Sequence, residues 1–244
     1  MQAIILAAGM GKRLKELTKN NTKCMVKVND TTLIERTLHS LENLCLNKIV
    51  IVDGYASDKL RAFISTLNIK TKIEYINNPI YDTTNNIYSL WLAKDVLKQD
   101  DTLLLESDII FEDSVIECLY NDKRETLALV AKYEDWMDGT CLKLNEDDSI
   151  KDFIPGKQFN NNEKEEYYKT VNFYKLSKQF SENNYIPELE AYRNKFGDNE
   201  YYEAALGSII KEKSADIQAK RLVNQKWYEI DNAADLEAAS NLFK

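Results

Sequence analysis

Proline and glycine are scarce in this chain, three and seven of 244 residues, which excludes a collagen-like or low-complexity disordered protein. Long apolar runs are also lacking, and none approaches the roughly 20 residues that a membrane-spanning helix needs. The N-terminus passes straight into an apolar strand, without the basic region and small-residue cleavage pattern of a secretory signal. Cysteine is limited to Cys24, Cys45, Cys118 and Cys141, with no CxxC pair, so disulfide and zinc frameworks both have weak support. A reducing cytoplasm is the expected location. The single histidine, His39, falls inside a predicted helix, where an ordinary packing or surface role suffices.

Net positive charge is lacking as well. Thirty-two basic against forty acidic residues leave −8, which opposes a general nucleic-acid or anionic-membrane binder. What basic charge exists is crowded early, at Lys12, Arg13, Lys15, Lys19, Lys23 and Lys27. An acidic protein with one basic loop is built to hold a small anion. Hydrophobic residues at 44% and charged residues at 30% suit a globular domain of this length.

The first half alternates between strand and helix patterns. Ala3–Leu6, Lys48–Val52, Lys72–Ile76 and Thr102–Glu106 read as apolar or β-branched strands. Between them, Leu33–Leu44 has helical spacing with Thr32 as N-cap and Glu35 as capping-box partner. Ser57 is placed to cap a second helix ending near Thr66, and Asn86–Leu97 reads as a third. Such alternation predicts a mostly parallel sheet with helices on both faces and the strand C-termini along one ligand-binding edge. After about Lys132 the pattern changes. Thr140–Leu144 and Ile150–Ile154 predict a hairpin around Asn145–Ser149, Asn160–Glu166 an exposed loop, and Tyr168–Lys175 a strand. Ile186–Arg193, Tyr201–Ile210 and a closing segment Asn232–Leu242 read as helices. The expectation is one α/β domain, with residues 1–132 as a nucleotide-binding half and 133–244 as a small β-rich acceptor-side half plus the closing helix.

Chemistry concentrates first in LAAGMGKRLKELT, Leu6 to Thr18, followed by Lys23. Small residues after a strand let main-chain N–H groups of Leu6, Ala7, Ala8, Gly9 and Gly11 approach a phosphate or base closely. Arg13 and Lys23 add cations able to neutralise a triphosphate. Asp108 follows the strand Thr102–Glu106, and Asp231 ends WYEID. Mg²⁺ favours carboxylate oxygens together with substrate phosphates, so two carboxylates from distant segments can meet over one α-phosphate. Asp231 can alternatively serve as an N-cap for the closing helix. Glu106 and Glu229 are read as pointing away from these aspartates.

These residues resemble the opening signature of the sugar-nucleotidyltransferase superfamily, LAAGxGxRLxPLT followed by Pro-Lys. The resemblance implies a Rossmann-like, GT-A-like nucleotidyltransferase fold, Arg13 and Lys23 as catalytic cations on the triphosphate, and Mg²⁺ held by Asp108 and Asp231. Two departures, Glu16 and Thr22 in place of the prolines, predict a loop less constrained in φ. Gly54–Tyr55 resembles the base-side turn. TTNNIYSL, Thr83 to Leu90, resembles the cytidylyltransferases that act on choline phosphate and 2-aminoethylphosphonate, with Asn85, Asn86 and Ser89 offered to base and ribose. Asn86 serves equally well as a helix cap.

On the acceptor side, the middle of the chain lacks the Glu-Lys-Pro strand and glycine-rich loop of sugar-phosphate relatives. KYEDWMDGT, FIPGK, YYKTVN, NEYYE and KWYEID are similar instead to 2-aminoethylphosphonate cytidylyltransferases, some of which are fused to an aminotransferase. A fused or associated aminotransferase is therefore one partner the resemblance brings in. Trp136, Asp138, Tyr201, Tyr202 and Glu203 suit a cationic head through aromatic faces and carboxylates, and Lys169 suits a phosphate or phosphonate. If residues 134–138 stay extended, Glu134, Trp136 and Asp138 share one face. The expected reaction is CTP plus 2-aminoethylphosphonate giving CMP-2-aminoethylphosphonate and pyrophosphate. The alternatives are phosphocholine as acceptor, a sugar 1-phosphate, or a catalytically silent nucleotide-binding subunit.

Overall fold

The computed structural model describes residues 1–212 and 214–244. The first apolar run forms β1 (Gln2–Ala7), buried along its whole length. A short hairpin, β2 (Lys27–Val28) and β3 (Thr31–Thr32), leads into α1 (Leu33–Glu42), whose N-cap Thr32 accepts from Glu35 N. Then come β4 (Ile49–Asp53), α2 (Ser57–Ile64), β5 (Ile73–Asn77), α3 (Asn86–Leu92), α4 (Lys94–Leu97) and β6 (Thr102–Glu106). Two expectations are corrected here. The cap position of α2 is Ala56 in a left-handed conformation, not Ser57, because Ser57 N bonds back to Gly54 O and tightens the turn. The helix expected over Asn86–Leu97 breaks at Ala93 into two pieces.

After β6, the chain forms β7 (Ile109–Phe111), α5 (Asp113–Tyr120) and β8 (Leu127–Lys132). The predicted hairpin is present as β9 (Cys141–Leu144) and β10 (Ile150–Ile154), paired antiparallel. Residues 160–166 are exposed but not irregular: Asn160 caps a 3₁₀ segment over Asn161–Glu166. Strand β11 (Tyr168–Leu176) follows, then α6 (Lys178–Phe180), which continues through a π turn into α7 (Ile186–Phe196). The chain ends with α8 (Tyr202–Glu212), β12 (Gln218–Arg221), β13 (Trp227–Glu229) and α9 (Ala233–Leu242).

The main sheet runs β10–β9–β11–β6–β1–β4–β5, with β8 beside β11 and β12 beside β8. Strands β6, β1, β4 and β5 are mutually parallel, and β11 joins β6 antiparallel. Side chains of β1 alternate between two cores. Ala3, Ile5 and Ala7 face α1, α2 and α5, whereas Ile4 and Leu6 face α3, α7 and α8. Burial on both faces explains why β1 reads as an uninterrupted apolar run. Its register with β4 and β6 brings Ala7, Asp53 and Glu106 to one edge, where the three following loops converge.

The second half reaches that edge through a bulge. Asn172, at φ +59°, interrupts the β11–β8 register between Thr170 and Tyr174. Beyond the bulge β11 pairs with β6, and before it with β9. Such an interruption re-aims side chains, here Lys169 and Asn172, toward the strand ends. Among the described residues, no helix is long and apolar enough to cross a membrane.

Candidate active site

The glycine loop is held by close packing, not by proline. Gly11 has φ +61°, and a Cβ there would lie 3.0 Å from Thr18 Cγ2 and 3.1 Å from Lys23 Cβ. Thr18 Oγ1 donates to Gly11 O at 2.8 Å. Thr22 is buried, and its hydroxyl reaches both Ala7 O and Gly9 O at 3.3 Å. At Thr22 a side-chain hydrogen bond thus supplies bracing of a kind that proline has no means to give. Nothing lies within 4 Å of a Cβ built on Gly9, so the loop crest faces open space. Gly11→Ala combines a left-handed backbone cost of about 1–2 kcal/mol with a collision at Lys23. A loss of activity of roughly tenfold is expected, together with a fall in the melting temperature of roughly 2–8 °C from the folded-state strain. Steady-state pyrophosphate release and a thermal melt check it.

Lys23 is the hub. Its Nζ lies 2.5 Å from Asp108 Oδ2 and 2.6 Å from Asp231 Oδ1, and Arg13 Nη2 lies 2.7 Å from the same Asp231 oxygen. Burial works against the Lys23 charge, but the two aspartates outweigh it and hold its pKa above the ordinary value. Burial likewise works against the Asp231 carboxylate, and Lys23 and Arg13 overcome this to lower its pKa. The helix-cap alternative for Asp231 does not apply. The cap of α9 is Asn232, in a capping box with Asp235, and Asp235 Oδ2 also accepts from Asp231 N.

Glu229 corrects another expectation, because it stands with the aspartates rather than away from them. Carboxylate oxygens of Asp108, Glu229 and Asp231 lie within 4.8 Å of one another. Glu229 is fixed by Lys169 Nζ at 3.3 Å and by Asn172 Nδ2, which donates at 3.2 Å. Burial pushes its carboxyl up to about 7, with Lys169 opposing and Asp108 and Asp231 adding to the rise. The signal was in the sequence: Glu229 and Asp231 are two apart on an extended segment and so share a face. This donor set fits a hard divalent cation. It supplies oxygens only, and Asp108 Oδ1 is buried without a hydrogen-bond partner among the described residues. By contrast Asp53, at the end of β4, is paired with Arg61 at 2.5 Å and with Asn77 at 2.9 Å.

On the nucleoside side, Leu6 and Ala7 are buried in the sheet, and Ala8 packs against Gly54. A Cβ on Gly54 would meet Tyr81 at 2.8 Å and Ala8 at 3.0 Å, so glycine permits the two loops to touch. Tyr55 donates from its hydroxyl to Lys19 O at 2.6 Å and from its backbone to Ala8 O at 3.3 Å. Asn85, not Asn86, is the cap of α3. Asn86 is clamped instead: Nδ2 donates to Glu106 at 2.8 Å and Oδ1 accepts from Tyr202 N at 3.0 Å. Ser89 is buried behind the edge, where its hydroxyl accepts from Asn78 at 3.1 Å.

On the acceptor side, residues 134–138 do not stay extended. Met137 N bonds to Glu134 O and closes a turn, so the expected shared face of Glu134, Trp136 and Asp138 does not form. The buried Met137 drives this turn, because extended alternation would expose it. Trp136 stacks on Tyr228 at 4.1 Å and 12°, with Trp227 at 5.3 Å, and donates to Glu134. Asp138 accepts from Gly139 N at 2.7 Å, and Gly139 packs near the Lys169 ammonium. Lys169 is fully buried and donates to Thr170 O at 2.7 Å besides pairing with Glu229. Tyr202 and Glu203 open α8 and are buried, with Glu203 accepting from the Tyr174 hydroxyl, whereas Tyr201 is exposed.

A loop that presents backbone N–H groups, cations flanking it and carboxylates opposite it form an arrangement for phosphoryl chemistry. The sequence pattern of the nucleotidyl transferase family matches residues 2–148. The chain is 31% identical over 260 aligned residues to the CTP:phosphoglutamine cytidylyltransferase of Campylobacter jejuni, covering 97% of this chain and 98% of that one. It is 27% identical to a CMP-5'-(3-aminopropyl)phosphonate synthase of Streptomyces rubellomurinus, spanning all of this chain but only 39% of that longer protein. Its fold superposes on the CTP:phosphocholine cytidylyltransferase of Streptococcus pneumoniae with a TM-score of 0.83 at 24% identity, over 100% and 99% of the two chains. The chain belongs to the nucleotidyl transferase family.

Proposed function

We propose that this enzyme transfers the cytidylyl group of CTP to a small acceptor that carries a phosphate or phosphonate at one end and an ammonium at the other, 2-aminoethylphosphonate being preferred. The observation that carries the reading is the convergence of Arg13, Lys23, Asp108, Glu229 and Asp231 beside the glycine loop. The names of the relatives, which include an aminopropylphosphonate and a phosphoglutamine enzyme, support CTP as donor and a small phosphorus-bearing acceptor.

In this reading the α-phosphate of CTP lies at the carboxylate cluster, with the β- and γ-phosphates along the glycine loop. An acceptor oxygen attacks the α-phosphorus in line, the new P–O bond forms, and the bond to pyrophosphate breaks. The acceptor oxygen is already anionic near neutral pH, so no general base is required. Asp108 and Asp231, with Glu229 beside them, would hold Mg²⁺, which would supply stabilisation of charge on the phosphates. Arg13 and Lys23 neutralise the departing pyrophosphate, and the loop backbone positions it. For Lys23 to reach the triphosphate it must release the two aspartates that it bridges.

Phosphocholine is the competing acceptor, and the stacked faces of Trp136 and Tyr228 favour it, since a trimethylated nitrogen is held by aromatic faces. A primary ammonium brings three donors instead, and the Glu134 carboxylate lies beside the same aromatic pair. Pyrophosphate release with CTP or UTP over a panel of acceptors decides between them. The expected result is activity with CTP and a kcat/KM for 2-aminoethylphosphonate that clearly exceeds that for phosphocholine. Equal or better turnover of phosphocholine would reassign the acceptor and leave cytidylyl transfer standing.

A further inference from the structure

Two acids beside the cluster have no part in the transfer chemistry. Glu106 ends β6 two residues before Asp108, so their Cα atoms are within about 7 Å. One of its oxygens accepts from Asn86 Nδ2 at 2.8 Å. The other has no protein partner among the described residues, and the residue is partly exposed at the strand end. Glu203, in the first turn of α8, is buried and accepts from the Tyr174 hydroxyl.

Tyr202 completes the group. Its backbone N is tied to Asn86, its ring lies edge-on to Tyr174 at 5.8 Å, and its buried hydroxyl has no partner among the described residues. The protein's own cations are engaged elsewhere: Lys23 bridges the aspartates, and Lys169 is turned to Glu229 and Thr170 O. A carboxylate with a free oxygen and a buried unpaired hydroxyl both lack what a donor-bearing cation provides.

We propose that Glu106, backed by Glu203 and the Tyr202 hydroxyl, is the specificity-determining group that receives the ammonium end of the acceptor. This rests on the aminated-acceptor reading above. A two-carbon arm separates phosphorus from nitrogen by roughly 4–5 Å, which fits inside the step of up to about 7 Å from Asp108 back to Glu106 at the end of β6. A primary ammonium can donate to the free oxygen of Glu106, whereas a trimethylated nitrogen has nothing to donate.

The test compares 2-aminoethylphosphonate with propylphosphonate, in which a methyl replaces the ammonium, by CTP-dependent pyrophosphate release. The wild type is expected to favour the aminated acceptor by about a hundredfold or more in kcat/KM. Glu106→Gln should lower that ratio by at least about tenfold, mainly through the KM of the aminated acceptor. Glu106→Asp keeps the charge and should restore part of the ratio. Tyr202→Phe should lower it by a smaller factor, and reads the same quantity if Glu106→Gln does not fold. A ratio unchanged in Glu106→Gln, or an equal loss on both acceptors, overturns the proposal alone. A wild type that uses phosphocholine or propylphosphonate but not 2-aminoethylphosphonate overturns the acceptor reading and this proposal with it.

Discussion

Asp108→Asn and Asp231→Asn are each expected to lower kcat by at least about a hundredfold while the protein still folds. Asparagine keeps the size of the side chain but removes the charge that a divalent cation and Lys23 both require. Folding should survive because Asp108, Glu229 and Asp231 crowd three carboxylates within 4.8 Å of one another. Glu229 is pushed up to about 7 partly by the neighbouring aspartate charges, so removing one relieves repulsion. The substitution at Asp231 also leaves α9 capped, since the capping box belongs to Asn232 and Asp235. Turnover at saturating CTP and magnesium, together with Mn²⁺ binding followed by electron paramagnetic resonance, measures both effects. Near-normal turnover in Asp231→Asn would remove that residue from the metal site.

The parallel half of the fold was legible because its strands are buried on both faces and therefore appear as apolar runs with helices between them. The same register places Asp108 at the ligand edge, and this too follows from the sequence once β6 is recognised. What local pattern did not reveal has identifiable causes. The turn at Glu134–Met137 is set by burial of Met137 against distant parts of the core, a tertiary effect that alternation alone cannot anticipate. The bulge at Asn172 depends on β11 exchanging partners between β9 and β6. Thr22 substitutes for a proline through hydrogen bonds to Ala7 and Gly9, which no propensity describes. Glu229 is different, since two-residue periodicity already placed it beside Asp231.

Lys23→Ala should produce two effects of opposite sign, and together they separate its roles. As the cation that neutralises the departing pyrophosphate, Lys23 acts where charge develops, so its removal is expected to lower kcat by about 10²–10³ with a smaller change in acceptor KM. Before nucleotide binds, however, its ammonium bridges Asp108 Oδ2 and Asp231 Oδ1, the oxygens that a cation needs. Two positive charges cannot share those oxygens at contact distance without strong repulsion. In the absence of CTP, Lys23→Ala should therefore bind Mn²⁺ more tightly than the wild type, by at least about tenfold. Arg13, which is largely exposed and among the described residues pairs with Asp231 alone, should compete less, so Arg13→Ala is expected to give a smaller gain. Titration of Mn²⁺ with and without CTP reads this directly. If Lys23→Ala alters only the acceptor KM, the loop belongs to the acceptor side. If metal affinity without nucleotide falls instead, Lys23 organises the carboxylates for the ion and does not stand in its place.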